Sequence, residues 1–255
     1  LDPRVANAQR KASLAKLKKA QTAIGGFPWF PGGAPSPYIT LYLLHGFSKA
    51  LEFDVDVPKD MVRKAWSYLK KHHVDEAVQH AIAHDCCWEF ITFVSYVLTN
   101  YPDDSWGGNV FSAADRKQML DFSFKHWREH APYLKGYLAL TLARSGRAAD
   151  AALVWESVMD SAKETEDQGT FWAPEDRGWL WYNDTIESHA FALRTTMELT
   201  PKEPKLDGMV LWIFLNKKLN HWKSTKATAE VIYSLAHYLK KTNTLGIREE
   251  TRVTL

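Results

Sequence analysis

The stretch GGFPWFPGG, Gly25 to Gly33, holds four glycines, two prolines, two phenylalanines and a tryptophan in nine residues. Glycine and proline at that density break both a helical ladder and a central strand, which leaves a loop of fixed shape. The aromatic bulk of such a loop has to be placed against something. What it meets depends on the scaffold on either side, and that scaffold is helical. Val62, Ala65, Trp66 and Leu69 fall at i, i+3, i+4 and i+7, as do Leu134, Tyr137, Leu138 and Leu142, while Ile186, Ala190, Leu193 and Met197 mark a stripe of another helix. Pro58, Pro102, Pro132 and Pro201 separate periodic segments, Asn100 and Gly146 follow segment ends, and Ser112 and Ser224 stand where N-caps belong.

These signals predict about ten to twelve helices and an all-α body. The segment Leu206 to Leu219 is apolar nearly all round, the pattern of an inner helix walled in by others. Alternation typical of a strand is confined to the end, where Ile247, Glu249, Thr251 and Val253 interleave with Arg248, Glu250 and Arg252. A Gly/Trp loop recurs as SWGGN at Ser105 to Asn109 and as GTFWAPED at Gly169 to Asp176. Helical hairpins joined by aromatic loops at one end predict a closed double ring, an α/α toroid, in preference to an open solenoid with polar capping repeats. The expected domain is residues 1–242, with 243–255 a linker or strand leading to a following β module. In a ring of this kind Trp29 and Phe30 are expected to plug the funnel between helices, with the glycines permitting close approach. The alternative is an open cleft for a sugar or an isoprenoid, lined by the same aromatics.

Composition narrows the function. The 255 residues are 45% apolar with a net charge of +2 spread over 32 basic and 30 acidic residues, so no basic footprint for nucleic acid stands out. The longest apolar run, Met209 to Leu215, is far short of the roughly 20 residues that a bilayer span needs. Cys86 and Cys87 are adjacent; a bridge between neighbours is strained, and they are expected to be free, slowly reacting thiols within a helix. The start at Leu1, without an initiator Met or an apolar signal core, is expected of a domain cut from a longer polypeptide.

The run GGFPWFPGG with SPYITLYLLHGF (Ser36 to Phe47), then WLWYNDTIESHAFALR (Trp179 to Arg194), then LWIFLNKKLNHWKSTKATAEVIYSLAHYL (Leu211 to Leu239), resembles the toroid domain of bacterial alpha-2-macroglobulin-like proteins over nearly the whole chain. The last block is the most specific: a Trp-Lys-Ser-Thr turn caps a helix from Thr225, with Ala229, Ile232 and Leu235 expected to face the core. The resemblance implies a non-catalytic, thioester-domain-like module of a large extracytoplasmic, periplasmic or cell-surface protein that entraps proteases in host or envelope defence. Its implied partners are other domains of the same polypeptide, and proteases. The family's Cys-x-Glu-Gln thioester motif does not occur in this sequence; by the family's layout it would fall ahead of Leu1.

A helical ring also serves several classes of enzyme. Asp85 and Cys87 share the D-x-C spacing of the zinc site in protein prenyltransferases, but a third ligand is missing, since His126, His130 and His189 stand in other contexts. No metal and no cofactor is expected. FDVDV, Phe53 to Val57, is too thin for the acidic cluster of a terpene cyclase; its aspartates are expected to end one helix and begin the next. The stronger rival is an α/α-toroid glycoside hydrolase or polysaccharide lyase. Glu175, Asp176, Asp184 and Glu187 lie among Trp172, Trp179, Trp181 and Tyr182, and paired carboxylates beside aromatic platforms serve glycoside cleavage. The preferred reading is structural: Asp184 caps a helix and Glu187 completes the capping arrangement. The candidate binding cleft is accordingly Trp172, Glu175, Asp176, Trp181, Tyr182, Asp184 and Glu187.

Overall fold

In a computed structural model, residues 3–172 and 184–244 are described. The described residues are predominantly helical, as the periodicity requires, and the chain divides into two compact units, 1–126 and 127–255.

The first unit contains α1 (Pro3–Ala20), α2 (Pro37–Glu52), α3 (Lys59–Leu69), α4 (Asp75–His84), α5 (Trp88–Thr99) and α6 (Ala113–Lys125). Its centre is α5, where Ile91 to Leu98 are buried without interruption and which packs on α2, α4 and α6. The α3 stripe of Val62, Ala65, Trp66 and Leu69 is fully buried, and the Trp66 ring meets the edges of Tyr101 and Phe111. Helix starts follow local chemistry. Ser36 accepts from the Ile39 amide ahead of Pro37 at N1, and Ser112 forms a reciprocal capping box with Asp115. Between α3 and α4 the ladder widens into one π-helical turn, Lys70–Val74, of the kind that often accompanies functional sites.

The second unit contains α7 (Pro132–Arg144), α8 (Ala148–Met159), a hairpin of β1 (Lys163–Thr165) and β2 (Gly169–Phe171), α9 (Thr185–Leu199), α10 (Leu206–Leu215) and α11 (Thr225–Lys241). Helices α7 and α9 are its core: Tyr133, Tyr137 and Phe191 pack ring to ring with centroids 4.6 to 5.1 Å apart. Strands β1 and β2 pair antiparallel, Lys163 opposite Phe171 and Thr165 opposite Gly169. At three residues each they are too short to register as alternation in the sequence. Gly169 has φ 74°, and a Cβ there would stand 2.2 Å from the Gly208 carbonyl oxygen, so β2 lies directly against the backbone of α10.

Three expectations are corrected here. Trp29 and Phe30 are not plugs: they are 62% and 76% exposed, while Phe27 is the buried aromatic of the loop. Helix α10 is not walled in, because Met209, Trp212 and Ile213 face the core at i, i+3 and i+4 whereas Leu211, Phe214 and Leu215 are exposed. On α11 the buried face is Ala227, Glu230, Val231 and Ser234, and Ile232 points out. The alternating tail, Ile247 to Val253, lies outside the described residues.

Candidate functional site

Of the residues that the sequence singles out for a cleft, Glu175, Asp176, Trp181 and Tyr182, together with the neighbouring Trp179, lie outside the described residues. Trp172, Asp184 and Glu187 are described. Asp184 is the N-cap of α9: its Oδ1 accepts from the amides of Ile186 at 2.9 Å and Glu187 at 3.1 Å, and its Oδ2 meets the Lys223 ammonium at 3.0 Å. One turn on, the carboxylate of Glu187, 3% exposed, is paired with Lys226. Two carboxylates three residues apart at the start of α9 thus meet two lysines three residues apart at the start of α11. The expected cap at Asp184 is present, but Glu187 reaches a partner 39 positions away. Local spacing cannot announce a contact of that separation.

Burial is the leading influence on Glu187 and raises its pKa from 4.5 to about 7, although the Lys226 ammonium pulls it down; Asp184 and Glu230 push it up further. Tyr133, fully buried beside it and receiving a hydrogen bond from Tyr137 at 2.7 Å, is held well above the ordinary phenol range, again chiefly by burial.

Trp172 is equally committed. Its indole N–H donates to the Val158 carbonyl at 2.8 Å, and its backbone N–H donates to His189 Nε2 at 2.9 Å. His189 Nδ1 lies 2.7 Å from the Thr185 carbonyl oxygen, which can only accept, so the ring is neutral with its proton on Nδ1. It stacks on Trp212 at 3.6 Å between centroids, and burial lowers its pKa to about 4. The cavity beside these residues, lined by Trp155, Trp172, His189 and Phe191, has a volume of about 10 Å³, at the lower limit for a single water and too small for a sugar. The described part of the predicted cleft is therefore a packed polar joint.

The aromatic surface stands elsewhere, on the GGFPWFPGG loop. Phe27 anchors it: its amide donates to Thr40 Oγ1 at 2.8 Å and its carbonyl accepts from the Ser36 amide at 2.8 Å. Gly25, at φ 98°, lets the loop touch α3, where a Cβ would stand 2.3 Å from the Lys64 carbonyl oxygen. Thus pinned, the loop holds Trp29 outward in a row with Tyr38 and Tyr42, whose successive centroids are 6.0 and 6.2 Å apart.

A second constellation escaped the sequence reading. Cys86 and Cys87 are not inside a helix; they form the junction between α4 and α5, where Asp85 has φ 52° and Cys87 φ 62°, and Cys87 is exposed. Their sulfurs lie 2.7 Å apart, and the shared hydrogen, followed by burial, pushes the Cys87 thiol up to about 11. His80 brings a ring nitrogen to them, so that the three ligand atoms all lie within 4.8 Å of one another. The third candidate ligand is upstream of the cysteines, on α4, not downstream.

Compared with models of known protein families and with curated proteins, the chain matches none.

Proposed function

We propose that the chain is a non-catalytic α/α-toroid domain of an extracytoplasmic alpha-2-macroglobulin-like protein, serving protease entrapment by docking against neighbouring domains of the same polypeptide. The observation that carries this reading is the aromatic loop: Trp29 and Phe30 are 62% and 76% exposed on a segment fixed by Phe27. Adjacent large apolar side chains held out on a rigid loop mark a surface that binds another one. The two described candidate carboxylates support the same reading, since Asp184 is occupied by helix amides and Lys223, and Glu187 by Lys226.

A carbohydrate-active enzyme is the second reading, favoured by one feature: a carboxyl raised to about 7 is what a general acid requires. Among the described residues, however, Glu187 is buried beside Lys226 and Tyr133. Turnover separates the two. The chain incubated with a panel of polysaccharides is expected to release no new ends. Cleavage that disappears in Glu187→Gln or Asp184→Asn would overturn the non-catalytic reading.

A further inference from the structure

The junction between α4 and α5 has a conformation that helix packing alone does not call for. Two non-glycine residues, Asp85 and Cys87, take positive φ there, a backbone state that persists only where surroundings impose it. On one side Asp85 is tied to the Lys125 ammonium and to His126 Nε2 at 3.0 Å. On the other, α5 begins directly after Cys87 and is locked in the core by Ile91 and Val94. The kink turns two neighbouring side chains, which would diverge by about 100° on a continuous helix, toward the same point. His80 faces that point from α4, and its ring lies 4.4 Å from that of His84.

We propose that His80, Cys86 and Cys87 bind a thiophilic divalent cation of the zinc class. Thiolate and imidazole are the ligands such ions prefer, at about 2.3 Å to sulfur and 2.0 to 2.1 Å to nitrogen. A tetrahedral ion with those bonds holds its ligand atoms roughly 3.3 to 3.8 Å apart. The trio is already spread within 4.8 Å, and binding requires the sulfurs, now 2.7 Å apart, to separate by about 1 Å to reach that spacing. Binding exchanges the two thiol protons for the ion, so one divalent cation enters and two protons pass to solvent; no electron is transferred. Asp85 stays outside the set, committed to Lys125 and His126. His80 and Cys87 also line a cavity of about 370 Å³ with His73, Glu76, Ala77 and Phe90, which has room for a water or an exchangeable donor as the fourth ligand. The π-helical turn before α4 carries His73. This inference is independent of the entrapment reading: either can fail alone.

The test uses the reduced, metal-free chain and the metal alone. Cadmium is titrated while the thiolate-to-cadmium charge-transfer absorption is followed, and zinc affinity is then read by competition with a chromophoric chelator. One equivalent per chain is expected, with both thiols protected from a disulfide reagent once zinc is bound. Residues that only support a ligand change metal affinity by about 10- to 100-fold; loss of His80, Cys86 or Cys87 is expected to weaken zinc by more than about 100-fold, and His84→Ala by less. Should His80→Ala disturb folding, as judged by circular dichroism, His80→Gln is read in its place. Binding unchanged in the His80 variant, absence of the charge-transfer band, or cysteines joined to each other after reduction would each overturn the site.

Discussion

Glu187 and His189 sit two residues apart on α9 with pKa values displaced in opposite senses, which makes the chain's stability against pH a sum of opposing slopes. The folded carboxyl of Glu187 keeps its proton up to about pH 7, whereas the unfolded one releases it near 4.5. Its contribution is therefore full below 4.5 and is lost as pH rises to 7. The folded His189 ring stays neutral down to about 4, whereas the unfolded ring takes a proton near 6.5. Its contribution is present above 6.5 and is lost as pH falls to 4. Each is on the order of 3 kcal/mol, and the two oppose each other through the shared window. Relative to the parent chain, Glu187→Gln is expected to gain stability with rising pH between 4.5 and 7, and His189→Gln to lose it between 4 and 6.5. Denaturant titrations at several pH values that leave either difference flat would refute the assignment. At Trp29 the expectation is simpler. A side chain 62% exposed leaves no core cavity when removed, so Trp29→Ala should cost less than about 1 kcal/mol, where a plug would cost about 3 to 5.

At the scale of elements, local signals were legible wherever local physics sets the structure. The proline and asparagine boundaries, the Ser112 and Ser224 caps and the stripes through Val62, Leu134 and Ile186 all stand as the sequence predicts, because caps and periodicity are decided within a turn or two. What stayed hidden is decided at a distance. The loop's composition does not tell which aromatic turns inward; the hydrogen bonds between Phe27 and Thr40 and between Ser36 and Phe27 do. An apolar run on α10 without polar interruption conceals its own core-facing side. The Asp184–Lys223 and Glu187–Lys226 pairs and the meeting of His80 with two cysteines depend on helix packing and on a kinked junction, neither of which leaves a spacing rule. One element contact is sharply testable: Gly169 and Gly208 let β2 and α10 touch backbone to backbone. Gly169→Ala combines positive φ with a clash and should cost roughly 2 to 5 kcal/mol; a loss under about 0.5 kcal/mol, the range of ordinary surface changes, would contradict that packing.

For the molecule as a whole, stability and the proposed function rest on different residues. Each unit has its own core, α5 at the centre of one and α7 with α9 at the centre of the other, and the two described candidate carboxylates, Asp184 and Glu187, hold the starts of α9 and α11 together. Among the described residues, the docking and entrapment proposal rests on the exposed aromatics Trp29 and Phe30. Entrapment has a signature that blocking of a protease active site lacks: an entrapped protease still cuts small peptides but cannot reach large proteins. The decisive measurement mixes the protein with proteases of several mechanistic classes and follows both kinds of substrate. The expected result is loss of protein cleavage with peptide cleavage retained, abolished when Trp29 and Phe30 are both replaced by serine while the fold stays intact. Equal loss of both activities, no loss of either, or entrapment that survives the double replacement would contradict the account.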